Sequence, residues 1–380
     1  MKILIVSAAT SWMRGGVPTE TRDLVAGLHR LGHEVALACD VPLPGAEVAR
    51  HFAFALPVGR ASAEQLRRAI EEFEPDFVHV LCMGAKGLVA LIPVLKSRRW
   101  ALTVHSLPPA EQKLRLWHDR EGLHYFARAI RFLPNSLGWR WLFLRGGIPQ
   151  VLVHSRFVHD MVARFGLPEE RMRIVPLSFH AEALASPAPA KPTTSSATRS
   201  PRLVTVGGIA HTKGQHDVIK ALPLLLQRFP GISYQLIGEI RDTAYMAWLK
   251  RLSRELGVEK HVLITPDLPN DDKDAALMAA DVYVQPSHEE GFCLAYAEAA
   301  AVVDRLVGAD AGAIAAMSLD DPGARVVPPR APEAIARAVT ELLDCTLPEG
   351  HMKTRMARLN QGFSYDSYLR SHEALYSSKA

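Results

Sequence analysis

Two carboxylates eight residues apart, Glu290 and Glu298, are the most chemically pointed feature of this chain. They stand in Pro286-Ser287-His288-Glu289-Glu290-Gly291-Phe292-Cys293-Leu294-Ala295-Tyr296-Ala297-Glu298-Ala299, directly after the strand-like run Asp281-Val282-Tyr283-Val284-Gln285. Pro286 and Gly291 break regular structure, and the Ala-rich stretch after Phe292 favours helix. This puts Glu290 just ahead of a helix N-terminus and Glu298 about a turn and a half inside it. Backbone N–H groups at Gly291, Phe292 and Cys293 are then expected to face the same space. Such a junction combines acceptors for ligand hydroxyls with a positive helix end for a phosphate. Glu pairs at this spacing also occur on solvated helix faces. The Pro-Ser-x-Glu-Glu-Gly-Phe context singles this one out.

A second constellation is Val206-Gly207-Gly208-Ile209-Ala210-His211-Thr212-Lys213-Gly214, a Gly-rich strand-to-helix turn with one Lys. Backbone amides, a helix N-terminus and a cation make a physically sensible cradle for a diphosphate. Arg14-Gly15-Gly16-Val17-Pro18 forms a similar but weaker turn after the first strand, and Val104-His105-Ser106 ends another strand. From Lys113 to Arg145 the chain carries seven basic residues against Asp119 and Glu121, interleaved with Trp117, Trp139, Trp141 and Phe143. That mixture suits a segment lying on an anionic membrane surface, or else a core-packing helix pair with a solvated face.

The elements that must position these groups alternate strand and helix. Ile3–Val6, Glu34–Ala38, Phe77–Leu81, Ala101–Val104, Val151–Val153 and Arg173–Val175 read as strands. Leu24, Val25, Leu28 and Leu31 form a helical stripe stopped at Gly32. Ser62-Ala63-Glu64-Gln65 reads as a capping box opening a helix that ends before Pro75. Residues 185–201, rich in Pro, Ser, Thr and Ala, lack the apolar surface to offset ordering entropy and read as a flexible linker. A second series follows, with strands at Leu203–Val206, Tyr234–Ile237, Val262–Thr265, Val282–Gln285 and Ala324–Val327. Its helices lie near Asp217–Gln227, Tyr245–Leu256, Ala275–Ala280 and Pro332–Leu343. The expected fold is therefore α/β, two Rossmann-like, doubly wound domains with ligands at the carboxyl ends of their strands. The expected divisions are residues 1–184, the linker, and 202–362.

The Glu-x7-Glu stretch resembles the signature of family 4 retaining glycosyltransferases of the GT-B fold, also called group 1 glycosyl transferases. The turn ending in Lys213-Gly214 is similar to that family's Gly-Arg-x-x-x-x-Lys-Gly motif, with Gly208 in place of the Arg. Gly15-Gly16 resembles its N-terminal glycine loop, and His105 the His near its reaction centre. The resemblance covers essentially the whole chain. It implies two domains facing across a cleft, the second binding the donor. It also implies a terminal helix, about residues 363–380, that crosses back onto the first.

What the resemblance implies is a hexosyl-type transferase moving a sugar, with retention, from a nucleoside-diphosphate sugar to a carbohydrate or lipid-linked acceptor. His105, Lys213 and Glu290 would be catalytic. Gly15, Gly16, Gly207, Gly208, Lys213, Glu290, Gly291, Phe292, Cys293, Leu294 and Glu298 would bind the donor, with Glu298 on the ribose hydroxyls and Glu290 on the sugar. The chain departs from the pattern at Gly208, at His180 in Pro176-Leu177-Ser178-Phe179-His180, and at Val303, Arg305 and Gly312-Ala313. These departures motivate the alternative of a degenerate relative that binds sugar nucleotide without turnover. A nicotinamide-dependent oxidoreductase is a more distant alternative, since neither glycine turn matches Gly-x-Gly-x-x-Gly and only Asp40 marks the end of the second strand.

Composition bounds the rest. At 380 residues, 48% hydrophobic and 22% charged, the chain is long enough for two globular domains. A net charge of +4 is too small to argue for nucleic acid. Cys39, Cys82, Cys293 and Cys345 are scattered, as expected for reduced cytosolic thiols and not for a zinc site. Asp272-Lys273-Asp274 opens a helix, where acidic residues are ordinary dipole partners, so no metal is expected. No run approaches the ~18 apolar residues of a membrane span. The expected location is the cytoplasm, with peripheral contact at the inner membrane face in envelope polysaccharide or glycolipid assembly.

Overall fold

The computed structural model describes residues 1–8, 16–81, 83–106, 136–178, 200–266 and 268–378. Two compact units emerge, Met1–Leu177 with Asp366–Ala380, and Ser178–Tyr365. Most of the expected linker, together with Gly15, Cys82, His180 and residues 113–135 of the basic aromatic segment, lies outside the described residues.

The first unit is built on a seven-stranded sheet in the order β3-β2-β1-β4-β5-β6-β7. Its strands are β1 (Lys2–Ser7), β2 (Glu34–Cys39), β3 (Arg50–Ala53), β4 (Phe77–Leu81), β5 (Trp100–Val104), β6 (Val151–Val153) and β7 (Met172–Ile174), and every pairing is parallel. The central strands are buried on both faces, which is why they read as continuous apolar runs. Strand β3 escaped the sequence reading because an edge strand needs no such run; Arg-His-Phe-Ala is largely exposed. The Leu24–Leu28 stripe is buried on the Gly16–Arg30 helix, but Leu31 lies past its end and is exposed. The expected capping box is also corrected. The helix begins at Arg60, and Ser62 is buried in its first turn, accepting from Gly59 N and donating to the Ala55 carbonyl.

The terminal helix Tyr365–Ser377 belongs to this first unit from Asp366 onward. It is anchored through His79 of β4, whose Nδ1 meets the Tyr376 hydroxyl at 2.7 Å and whose Nε2 meets Thr103 of β5 at 2.7 Å. His372 of the same helix is fully buried, and burial pushes its pKa down to about 4, against smaller opposing contributions from the Tyr368 carbonyl and Glu20. His79 is driven down as well, by burial first and then by His372. Unfolded imidazoles titrate near 6.5, so below that pH the unfolded chain takes up protons that the folded unit excludes. Stability is thus complete above about pH 6.5 and is lost as pH falls towards 4, with His372 alone accounting for roughly 3 kcal/mol. Urea midpoints measured from pH 7.5 to 4.5 should fall accordingly, and His372→Leu should flatten the slope. A slope unchanged in that variant would place the linkage elsewhere.

The second unit carries a six-stranded parallel sheet in the order β10-β9-β8-β11-β12-β13. Its strands are β8 (Arg202–Val206), β9 (Ser233–Ile237), β10 (Val262–Thr265), β11 (Val282–Gln285), β12 (Leu306–Ala309) and β13 (Ala324–Val327). Sequence reading missed β12, a four-residue run broken by Gly308. A Cβ there would come 2.3 Å from Ile314 and 2.9 Å from Tyr296, so the glycine is set by packing across the sheet face. The Asn270–Ala279 helix starts five residues earlier than expected. One core of Leu, Ile, Val, Tyr and Trp side chains joins this sheet to the helices Gln215–Arg228, Thr243–Glu255 and Pro332–Asp344.

Candidate active site

In the second unit the two sequence constellations meet. The turn after β8 closes through Lys213 N to the Ala210 carbonyl and Gly214 N to the His211 carbonyl. Gly214 has φ of 65°, and a Cβ there would lie 2.1 Å from the Pro286 carbonyl, so a side chain is excluded twice over. The loop after β11 is stapled to this turn by His288 N and Glu289 N, which both donate to the Thr212 carbonyl. These backbone bonds bring Lys213 Nζ within 2.7 Å of Glu290 Oε1.

Side chains along β11 fix the carboxylate. Tyr283 donates to Gln285 Oε1, the Gln285 amide donates to Ser287 Oγ at 2.8 Å, and Ser287 donates to Glu290 Oε1 at 2.7 Å. Tyr283 and Gln285 are two apart on one strand, so they share a face. Burial by itself would depress the Lys213 ammonium, but Glu290 outweighs it and the pKa is raised, which keeps the cation charged. Gly312, at φ of 63°, packs against Glu290; its missing Cβ would stand 2.7 Å from the Glu290 Cβ.

Glu298 lies in the Leu294–Val302 helix, as the spacing predicts. Burial raises its carboxyl pKa, with Lys273 Nζ at 3.5 Å opposing the rise. Lys273 of the Asp-Lys-Asp triplet therefore points to the site while Asp271 and Asp272 occupy the first helical turn. Cys293 precedes the helix at φ of 87°, a left-handed conformation unusual for a side-chain-bearing residue. Burial pushes its thiol well up, and neighbouring Glu290 adds to this, so it is a neutral group. Phe292 packs edge-on against Phe363, and its carbonyl accepts from Ala313 N at 3.0 Å. Gly207 lies beside the Gln285 amide, and Gly208 beside Arg241.

Below the Lys213 turn sits a buried cluster the sequence reading missed. His288 Nε2 is 2.7 Å from Asp217 Oδ2, and His216 Nε2 is 3.4 Å from Asp217 Oδ1. The His211 ring lies parallel to Trp248 at 6.0 Å. Burial, then the neighbouring His211 and His288, holds His216 well below the ordinary imidazole range. The only sequence signal was the density of His between residues 211 and 216.

In the first unit, His105 sits at the end of β5 with its Nε2 hydrogen-bonded to Glu20, a fully buried carboxylate on the Gly16–Arg30 helix. His154, at the end of β6, faces the other Glu20 oxygen at 3.2 Å, while its Nδ1 meets the Val175 carbonyl at 2.8 Å. A carbonyl only accepts, so that Nδ1 carries a proton. Burial would raise Glu20, but His154 and His105 outweigh it and hold the carboxyl well below its usual range. Of the three side chains, His105 alone has appreciable exposure, 16% against 0% and 1%. Glu20 and His154 were not legible as site residues, since an acidic residue early in a helix ordinarily reads as a dipole partner. The donor atoms of Glu20, His105 and His154, like those of His216, Asp217 and His288, converge closely enough to hold a cation.

The region carrying the Lys213 turn and the Glu pair, residues 190–359, matches the family described as "Glycosyl transferases group 1", and residues 14–182 match "Glycosyltransferase Family 4". Between them the matches leave out only the ends and a short gap. The chain belongs to the group 1, family 4 glycosyltransferases, with the GT-B fold of two Rossmann-like units. It is 31% identical over 150 residues to a GDP-mannose-dependent alpha-(1-6)-phosphatidylinositol monomannoside mannosyltransferase of Mycolicibacterium smegmatis, 38% of each protein. The chain thus spans less than half the length of the curated relatives it matches. In fold it is similar to a glycosyltransferase of Rickettsia africae, with a TM-score of 0.74 and 17% identity, covering 99% of this chain and 97% of the other. An Anabaena protein solved in complex with UDP and glucose gives a TM-score of 0.72 at 16% identity, covering both chains fully. Family membership displaces the oxidoreductase reading.

Proposed function

We propose that this protein is a retaining glycosyltransferase that takes a sugar from a nucleoside-diphosphate donor bound at the carboxyl ends of β8 and β11. The observation that carries this reading is the Lys213–Glu290 pair, fixed by the stapled turns and set just ahead of the helix bearing Glu298. A charged Lys within a Gly-rich turn stabilises a leaving diphosphate without reorganisation, which is preorganised electrostatic catalysis. Glu298 accepts hydroxyls of the nucleoside ribose, Glu290 those of the donor sugar, and no metal is required. Calorimetry with UDP and GDP tests this. Glu298→Ala should weaken nucleotide binding at least roughly tenfold, the loss of a charged partner being worth ~2 kcal/mol or more. Wild-type affinity should survive excess EDTA. Equal affinity in the variant, or binding that needs added magnesium or manganese, contradicts the assignment.

The acceptor is proposed to be lipid-linked, presented at a membrane surface during envelope polysaccharide or glycolipid assembly; the mycobacterial relative's name specifies a phosphatidylinositol-linked acceptor for that protein. Support within this chain comes from residues 136–145, a helical stretch in the first unit. Trp139 and Phe143 turn inward and stack at 5.3 Å, so they belong to the core and not to an interfacial face. Leu137, Trp141 and Leu144 are each more than half exposed, one helical face with Arg140 and Arg145 beside them. Apolar residues flanked by Arg suit an anionic interface. No helix among the described residues is long and apolar enough to cross a membrane. Sedimentation with anionic liposomes should be salt-sensitive and fall in Trp141→Asp and Arg140→Glu. Protein that stays in the supernatant at low salt turns the reading to an acceptor free in solution.

The alternative, binding without turnover, is motivated by Gly208. Slow hydrolysis of a sugar nucleotide by the wild type eliminates it.

A further inference from the structure

The turn that carries Lys213 has a glycine where the motif it resembles has an arginine, yet a guanidinium is there. A Cβ built on Gly208 would lie 2.7 Å from Cδ and Nε of Arg241, and 3.2 Å from its Cζ. Arg241 comes from the loop after the neighbouring strand β9. Its backbone is fixed against the turn after β8, with Arg241 N and Asp242 N both donating to the Ile209 carbonyl at 3.1 Å. Asp242 then caps the Thr243–Glu255 helix through Tyr245 N, so the loop is held at both ends.

We propose that Arg241 binds the diphosphate of the nucleotide sugar, supplying from the β9 loop the guanidinium that position 208 lacks. The inference rests on the donor-site reading above. Two observations support it independently of the family pattern. First, Arg241 and Lys213 form a pair of cations on adjacent turns at one end of the sheet, close enough that the Arg241 charge works against protonation of Lys213. Lys213 is matched by Glu290 and Arg241 only loosely by Glu239, so a diphosphate, with enough oxygens to meet both cations, supplies the partner that Arg241 lacks. Second, the Arg241 side chain is about half exposed and its nearby Glu239, at 3.6 Å, is more exposed still, so that ion pair is weak and readily exchanged for a ligand.

The two positions exclude each other. A long side chain at 208 would have to displace Arg241, and an Arg at 241 can lie across the turn only because 208 is glycine. The missing Arg and the present one are therefore two halves of a single relocation. A guanidinium is also the better choice for this role, since its planar fork can meet two phosphate oxygens at once.

The experiment is a relocation. With whichever of UDP and GDP the wild type binds, Arg241→Ala should raise Kd at least ~tenfold, the cost of losing one charge-assisted contact. Its thermal midpoint should stay at the wild-type value, because the side chain packs against no core. Gly208→Arg with Arg241→Ala should recover most of the lost affinity. Wild-type affinity in the single variant, or a double variant no better than the single, overturns the proposal. A wild type that binds neither nucleotide instead refutes the donor-site reading, and this inference falls with it.

Discussion

Replacing Lys213 with Ala is expected to lower kcat roughly 10²–10³-fold with the fold intact, the scale seen when one preorganised charge partner of a developing anion is removed. Lys213 is held charged by Glu290 and positioned by a turn whose backbone bonds do not involve its side chain. The variant therefore removes charge without unpinning the loop. Glu290 keeps its bonds from Ser287 and Gln285, so it is not left wholly unpartnered. Coupling should nevertheless be visible. Lys213→Ala and Glu290→Gln, each made singly and then together, should be strongly non-additive, because each residue fixes the other's charge and geometry. Single-turnover rates with a competent donor check this. A loss below tenfold would mean that backbone amides and the helix end carry the leaving diphosphate alone.

The largest stability effect is expected at Arg355, in the helix His351–Gly362. Its guanidinium is buried and donates to Asp321, to the carbonyls of Ala300 and Val303, and to the carbonyl of Asp304 at 2.8 Å. Ala300 and Val303 lie at the C-terminal end of the helix that carries Glu298, where carbonyls have no partner within the helix. Arg355→Met removes the donor to those carbonyls and leaves the buried Asp321 carboxylate with only Gly323 N at 2.9 Å and Arg358 at 3.4 Å, and should cost about 3–5 kcal/mol. The second unit should then unfold at about 2 M less urea. Arg355→Lys should not rescue, because a compact ammonium cannot reach Asp321 and all three carbonyls as the guanidinium fork does. Adding Asp321→Leu should recover part of the loss, since removing both charges is far cheaper than removing one. If Arg355→Met shifts the midpoint by less than about 0.5 M, the network is not what holds this helix end.

Two departures from the family pattern lie at this joint. They are Val303 and Arg305. Val303 is fully buried and offers its carbonyl to Arg355, while Arg305 Nε donates to the Leu342 carbonyl at 2.6 Å. The altered positions serve the joint between the Glu298 helix and its neighbours.

The parallel sheets were legible in the sequence because doubly buried strands favour apolar runs, and such runs marked β4, β6 and β11 to the residue; the edge strands β10 and β13 were marked too, although both are partly exposed. Strands β3 and β12 were not, one being an exposed edge and the other interrupted by a glycine that only cross-sheet packing requires. The Glu290–Glu298 spacing and the Lys213 turn were equally visible, because their chemistry depends on residue type at a fixed distance along one strand–loop–helix junction. Contacts between segments far apart in the chain were invisible. Lys213 and Glu290 lie 77 residues apart, His105 and Glu20 85, and Arg355 and Asp321 34. Arg241 shows the division most plainly. The sequence records only that an Arg is absent at 208, and parallel pairing of β8 with β9 decides that another one fills its place. Local sequence settles which groups a turn presents. Strand order, fixed by burial of whole faces, settles which turns come together.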